Sequence, residues 1–147
     1  MSNIVLFDAY AAEVFSQLYK NFPVCKDIYV EDIIKNAEHD RKESVERQRE
    51  ICSETMHWLR EAEFISVKTP TFKDFYLNRD EHKIETVFTC VILTAKGLQI
   101  LKQVPRSIKE GVTLGEEISD ALKQGFKSRA SELVSIALGS LVTGGIQ

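Results

Sequence analysis

Apolar residues recur every three or four positions along "AAEVFSQLYKNF". Ala11, Val14, Phe15, Leu18, Tyr19 and Phe22 line one face, which predicts an amphipathic helix stopped by Pro23. A short β-favouring Ile28-Tyr29-Val30 follows, then a brief helix carrying Ile33, Ile34 and Ala37. After the polar break "EHDRKE", a long helix is expected from Ser44 to about Ala62, with Val45, Gln48, Cys52, Met56, Leu59 and Ala62 on one stripe. The pattern then changes period. "EFISVK" alternates as a strand, and "TVFTCVIL" (86 to 93) is near-continuously apolar and β-branched, which predicts a second strand that is central or well covered. Between them, 69 to 85 reads as a long polar-aromatic connection, with Pro70 as a breaker and "NRDE" as a turn signal. The two strands then pair as an antiparallel hairpin with a long loop.

In "CVILTAKGLQIL" the strand passes into a helical pattern at a single residue. The Thr94 hydroxyl is placed to accept a backbone N–H of the first turn, and Gly97 within that turn permits close packing. Leu98, Ile100 and Leu101 continue the core, and Pro105 closes the element. A last amphipathic helix is expected from about Leu114 to Val142, at 114–143 as a unit. It would be about 40 Å long and weakened by Gly115, Gly125 and Gly139. Its stripe either packs on its own domain or forms a homodimer through Ile118, Leu122, Phe126, Leu133 and Ile136.

At 147 residues the chain suffices for one domain with a real core, or one domain with an appended helix. Apolar (44%) and charged (28%) fractions are those of a soluble globular protein, and a net charge of −3 gives no whole-molecule attraction to nucleic acid or anionic lipid. Cys25, Cys52 and Cys90 are few, odd in number and unpaired in spacing, so reduced thiols and a cytoplasmic location are expected. "MSNIVLFDAY" has too short an apolar run for a signal peptide. "LVSIALGSLVTGGI" is too short to span a bilayer, so no membrane association is expected.

Two segments carry a family likeness. "MHWLREAEFISV" looks like the end of a third helix turning into a first wing strand, and "CVILTAKGLQIL" like the second wing strand with a Thr-x-x-Gly entry to the next helix. Over about residues 9–105 the chain thus resembles the winged helix-turn-helix superfamily. The resemblance implies an α+β, mostly helical fold: a winged-helix-like three-helix core with a β-hairpin wing, plus the C-terminal helix. It also implies DNA binding, with Arg41, Lys42, Arg47 and Arg49 on the third helix and Lys68, Lys73, Arg79 and Lys83 on the wing.

The local charge points elsewhere. Between Glu31 and Glu63 there are ten acidic residues against six basic, and such carboxylates repel a phosphate backbone. The leading expectation is therefore recognition of a basic protein surface, in an immunity, antitoxin or adaptor role. Glu43, Glu46 and Glu50 would supply the charge, and Phe72, Phe75 and Tyr76 the aromatic anchors. A dimeric DNA-binding regulator is the alternative.

Catalytic signals are sparse. Glu54 and His57 form half of a carboxylate–histidine metal motif, Cys52 and His57 point apart on their helix, and Cys90 lies in an apolar strand. No Gly-rich phosphate loop, HExxH or nucleophile elbow occurs, so neither an enzyme nor a cofactor or metal is expected. Trp58 is expected to plug the core beneath the hairpin.

Overall fold

A computed structural model describes residues 2–37, 44–78, 81–103 and 111–142, and within them the side chains outside 69–85 and 140–142. The chain runs α1 (Asn3–Asn21), β1 (Lys26–Tyr29), α2 (Val30–Ala37), α3 (Val45–Glu61), β2 (Ile65–Asn78) and β3 (Glu81–Leu93). It ends with α4 (Ala95–Leu101), α5 (Leu114–Lys123) and α6 (Lys127–Val142). The described residues form an α+β, mostly helical arrangement with a three-stranded antiparallel sheet in the order β1-β3-β2. Among them, no helix is long and apolar enough to cross a membrane.

The core is organised around α1, which begins two turns before the stripe that starts at Ala11. Its consecutive residues Ala9, Tyr10, Ala11, Ala12, Val14 and Phe15 are all buried, because α3 covers one flank and α5 and α6 another. A helix enclosed on several sides needs apolar or small residues around most of its girth, and Ala11 and Ala12 let neighbours approach closely. In α3 the Ser44 hydroxyl accepts from the Arg47 N–H at 3.2 Å, fixing the start, while Cys52, Met56 and Leu59 face the core.

The junction at Thr94 behaves as its sequence implies. Its hydroxyl oxygen accepts from the Gly97 N–H at 3.1 Å and donates to the Glu63 carbonyl at 2.5 Å. A Cβ on Gly97 would run into the Phe64 carbonyl, so the tight entry of α4 requires glycine. β3 is the central strand, as its unbroken apolar run predicts.

Three expectations are corrected. Most of the connection expected at 69–85 is strand: 69–78 belong to β2 and 81–85 to β3, which pair from Ile65↔Leu93 out to Asn78↔Glu81. Pro70 does not break it because β2 is an edge strand, where a missing N–H can face away from the ladder, and the Thr, Phe and Tyr around it favour extended backbone.

The single C-terminal helix is two. Gly125 takes φ +82°, its N–H bonds back to the Leu122 carbonyl and the Phe126 N–H to that of Ala121, a Schellman ending that turns the chain. The helices α5 and α6 pack on each other and on α1. Leu114, Ile118, Ala130, Leu133 and Val134 enter the same core as Phe15 and Leu59. Of the proposed dimer stripe, Ile118 and Leu133 are fully buried within the chain and Leu122 is partly buried, which leaves Phe126 (59% exposed) and Ile136 (37%) at the surface. The continuous helix of about 40 Å expected from Leu114 to Val142 is thereby replaced by a folded-back pair.

The cysteines are not all reduced, against the expectation from their number and spacing: Cys25 and Cys90 form a disulfide with Cα atoms 4.8 Å apart. Two β3 residues stand opposite Asp27 where the register shifts, and Cys90 there takes φ +49°, with its N–H donated to the Asp27 carboxylate at 2.9 Å. This bulge brings Cys90 to Cys25. Only Cys52 is a free thiol, and it is buried.

Candidate functional site

The first turns of α1 and the length of α3 enclose a groove of about 810 Å³. Its apolar lining comes from Ile4 and Phe7 of α1 and from Ile51 and Trp58 of α3. Ile4 is 63% exposed and Trp58 47%. Trp58 meets Phe7 edge-to-face at 5.3 Å and leans on Phe64 at 5.9 Å. The expectation that Trp58 plugs the core is thus corrected. One residue before Leu59 it sits about 100° around the helix from the buried stripe, at the groove wall.

The groove's rim is acidic. Glu50, Glu54 and Glu61 line it and are exposed, and Glu46 is exposed on the same helix. Arg47 also lines the groove, with its Nη2 donating to Asn3 Oδ1 at 2.6 Å, and so fastens the start of α1 to α3. Arg49 Nε donates to Glu31 on α2 at 2.5 Å. Of the four third-helix basic residues that the winged-helix resemblance assigns to DNA contact, Arg47 and Arg49 are therefore held within the chain. The Thr55 hydroxyl donates to the Ile51 carbonyl at 2.7 Å.

Arg41, Lys42, Glu43 and Arg79 lie outside the described residues. Phe72, Lys73, Phe75 and Tyr76 fall on β2, opposite Thr86, Glu85, Lys83 and His82 of β3, and their side chains lie outside the described residues. Lys68 is exposed on β2. The α1 half of the groove was not read from the sequence, although "NIVLFDAYA" carries its signal: Ile4, Phe7 and Ala11 continue the helical spacing upstream.

His57 also lines the groove and packs edge-to-face with the Phe88 ring, centroids 5.4 Å apart. Burial pushes the Cys52 thiol well above its ordinary range, and the nearby Glu31 carboxylate adds to that, so Cys52 is held as a neutral thiol. Among the described residues, no three His, Cys, Asp or Glu side chains are grouped to hold a metal ion.

Two carboxylates on the α6-facing side of α1 are perturbed. Burial raises the Asp8 carboxyl, partly offset by the Ser135 hydroxyl, which donates to it at 3.1 Å. Burial also raises Glu13, partly offset by Lys127 and Lys20. A smaller polar pocket of about 340 Å³ lies among Lys26, Asp27, Tyr29, Asp32 and Lys35. No family model, curated protein or solved structure matches this chain, and the groove between α1 and α3 is characterised by its own residues alone.

Proposed function

We propose that the chain is a non-catalytic binding module on a winged-helix-like scaffold, and that the α1–α3 face recognises a protein partner with a basic surface. One observation carries the reading: a groove with an apolar lining is rimmed by the exposed carboxylates of Glu50, Glu54 and Glu61, while Arg47 and Arg49 are engaged with Asn3 and Glu31. Carboxylates on that face attract basic side chains and repel phosphate. The scaffold assignment is supported by the order α1-β1-α2-α3-β2-β3 with β1 paired to the far edge of the hairpin. An immunity, antitoxin or adaptor role suits such a face, without cofactor. The Cys25–Cys90 bond favours an oxidising compartment over the cytoplasm.

The same element order is also that of many DNA-binding regulators, so duplex binding is the decisive measurement. Wild-type protein is titrated against mixed-sequence duplex DNA by fluorescence anisotropy at two salt concentrations, beside Glu46→Lys/Glu50→Lys/Glu54→Lys. The expected result is no wild-type binding and salt-sensitive binding gained by the triple variant. Tight wild-type binding with a steep salt slope would overturn the reading.

A further inference from the structure

Resting on the protein-recognition reading above, we propose that the occupant of the α1–α3 groove is an amphipathic helix with Lys or Arg beside its apolar face. The groove's dimensions suit a helix. The α3 side chains that line it run from Arg47 to Glu61, about 21 Å at ~1.5 Å per residue, or roughly four turns. Its walls are themselves helices, and a third helix laid along two packed ones buries its apolar stripe between them.

The lining argues against an extended peptide. Ile4, Phe7, Ile51 and Trp58 offer a bare backbone only the indole N–H. Of the neutral polar groups beside them, the Asn3 carbonyl oxygen already accepts from Arg47, the Thr55 hydroxyl donates to Ile51 and His57 packs against Phe88, so few partners remain for a ladder of N–H and C=O groups. An extended segment would bury unpaired N–H and C=O groups there, whereas a helix arrives with its backbone bonds made.

Charge sets the flanks of the occupant. Three carboxylates, Glu50, Glu54 and Glu61, line the groove against one guanidinium, Arg47, which already donates to Asn3. Ammonium or guanidinium groups beside the docked apolar stripe would meet this rim, and an acidic helix would be repelled.

Trp58 is the only tryptophan in the chain, so its emission reports on the groove directly. The full-length protein is titrated with a 14-residue Leu/Lys amphipathic peptide, with a scrambled isomer of the same composition, and with mixed-sequence duplex DNA. The expected result is a saturable blue shift with the amphipathic peptide, at least tenfold weaker binding of the isomer, and at least tenfold weaker binding to Glu50→Lys/Glu54→Lys. That charge effect should shrink at high salt. Both substituted positions are exposed, and circular dichroism checks that the fold is kept.

Equal binding of peptide and isomer would overturn the helical occupant while leaving the charge-led reading standing. An unchanged Trp58 emission with both peptides would overturn the inference outright. Duplex binding by wild type would overturn the reading beneath it. A dimer in sedimentation that Trp58→Glu dissolves would assign the groove to a second copy and overturn the proposal as well.

Discussion

Replacing both Cys25 and Cys90 by Ser tests the least expected feature of the fold. The bond links residues 65 apart in sequence, so it removes the closure entropy of a loop of about that length from the unfolded chain. In the chain-entropy treatment that is worth about 4 kcal/mol at 25 °C. Stabilities of single domains are about 5–15 kcal/mol, so the double variant should lose a large share of its total. At about 2.1 cal/mol/K per residue of unfolding entropy, the melting temperature should fall by roughly 10–15 °C.

The loss should begin at β1, which has four residues and only a short ladder to β3. Urea unfolding of wild type with and without reductant, beside the double variant, measures the change. Thiol titration under denaturing, non-reducing conditions counts the free groups: one, from Cys52, is expected before reduction and three after it. Three thiols without reductant, or a double variant with the wild-type midpoint, would refute the reasoning.

Other consequences are as concrete. Thr94→Ala should cost about 1 kcal/mol through loss of the cap. Gly97→Ala should cost more, because its Cβ meets the Phe64 carbonyl, and denaturant midpoints rank the two. Asp8 and Glu13 have folded-state pKa values above their ordinary 3.8 and 4.5, so as ions at neutral pH they oppose folding. Stability should therefore rise as pH falls through those raised values, with the gain complete below the ordinary ones, and Glu13→Gln should flatten that rise in urea midpoints taken from pH 7 to 4. Truncation after Gln103 should give an unfolded or aggregating chain by circular dichroism, because Ile118, Leu133 and Val134 belong to the core that α1 organises; a folded, soluble fragment would contradict that.

The sequence by itself determined the elements whose signals are local. The helical spacing of Cys52, Met56 and Leu59 marks α3, the unbroken β-branched run marks the central strand, and Thr94 with Gly97 marks the entry to α4. Each rests on hydrogen bonds and periodicities within a few residues. The division of the last helix was also within reach, since Gly125 followed by Phe126 suits a Schellman ending, but the apolar stripe continues across it and masks the turn.

Tertiary structure decided the rest. Pro70 is tolerated because β2 lies at the sheet edge, which depends on β1 having joined the other side of β3. Cys90 reaches Cys25 because a bulge turns the central strand opposite Asp27. Trp58 stays half exposed because α3 buries the adjacent face, and it becomes a groove wall because the start of α1 lies beside it. Periodicity states which face of a segment is apolar; what covers that face, and what is left open beside it, depends on contacts between residues far apart in the chain.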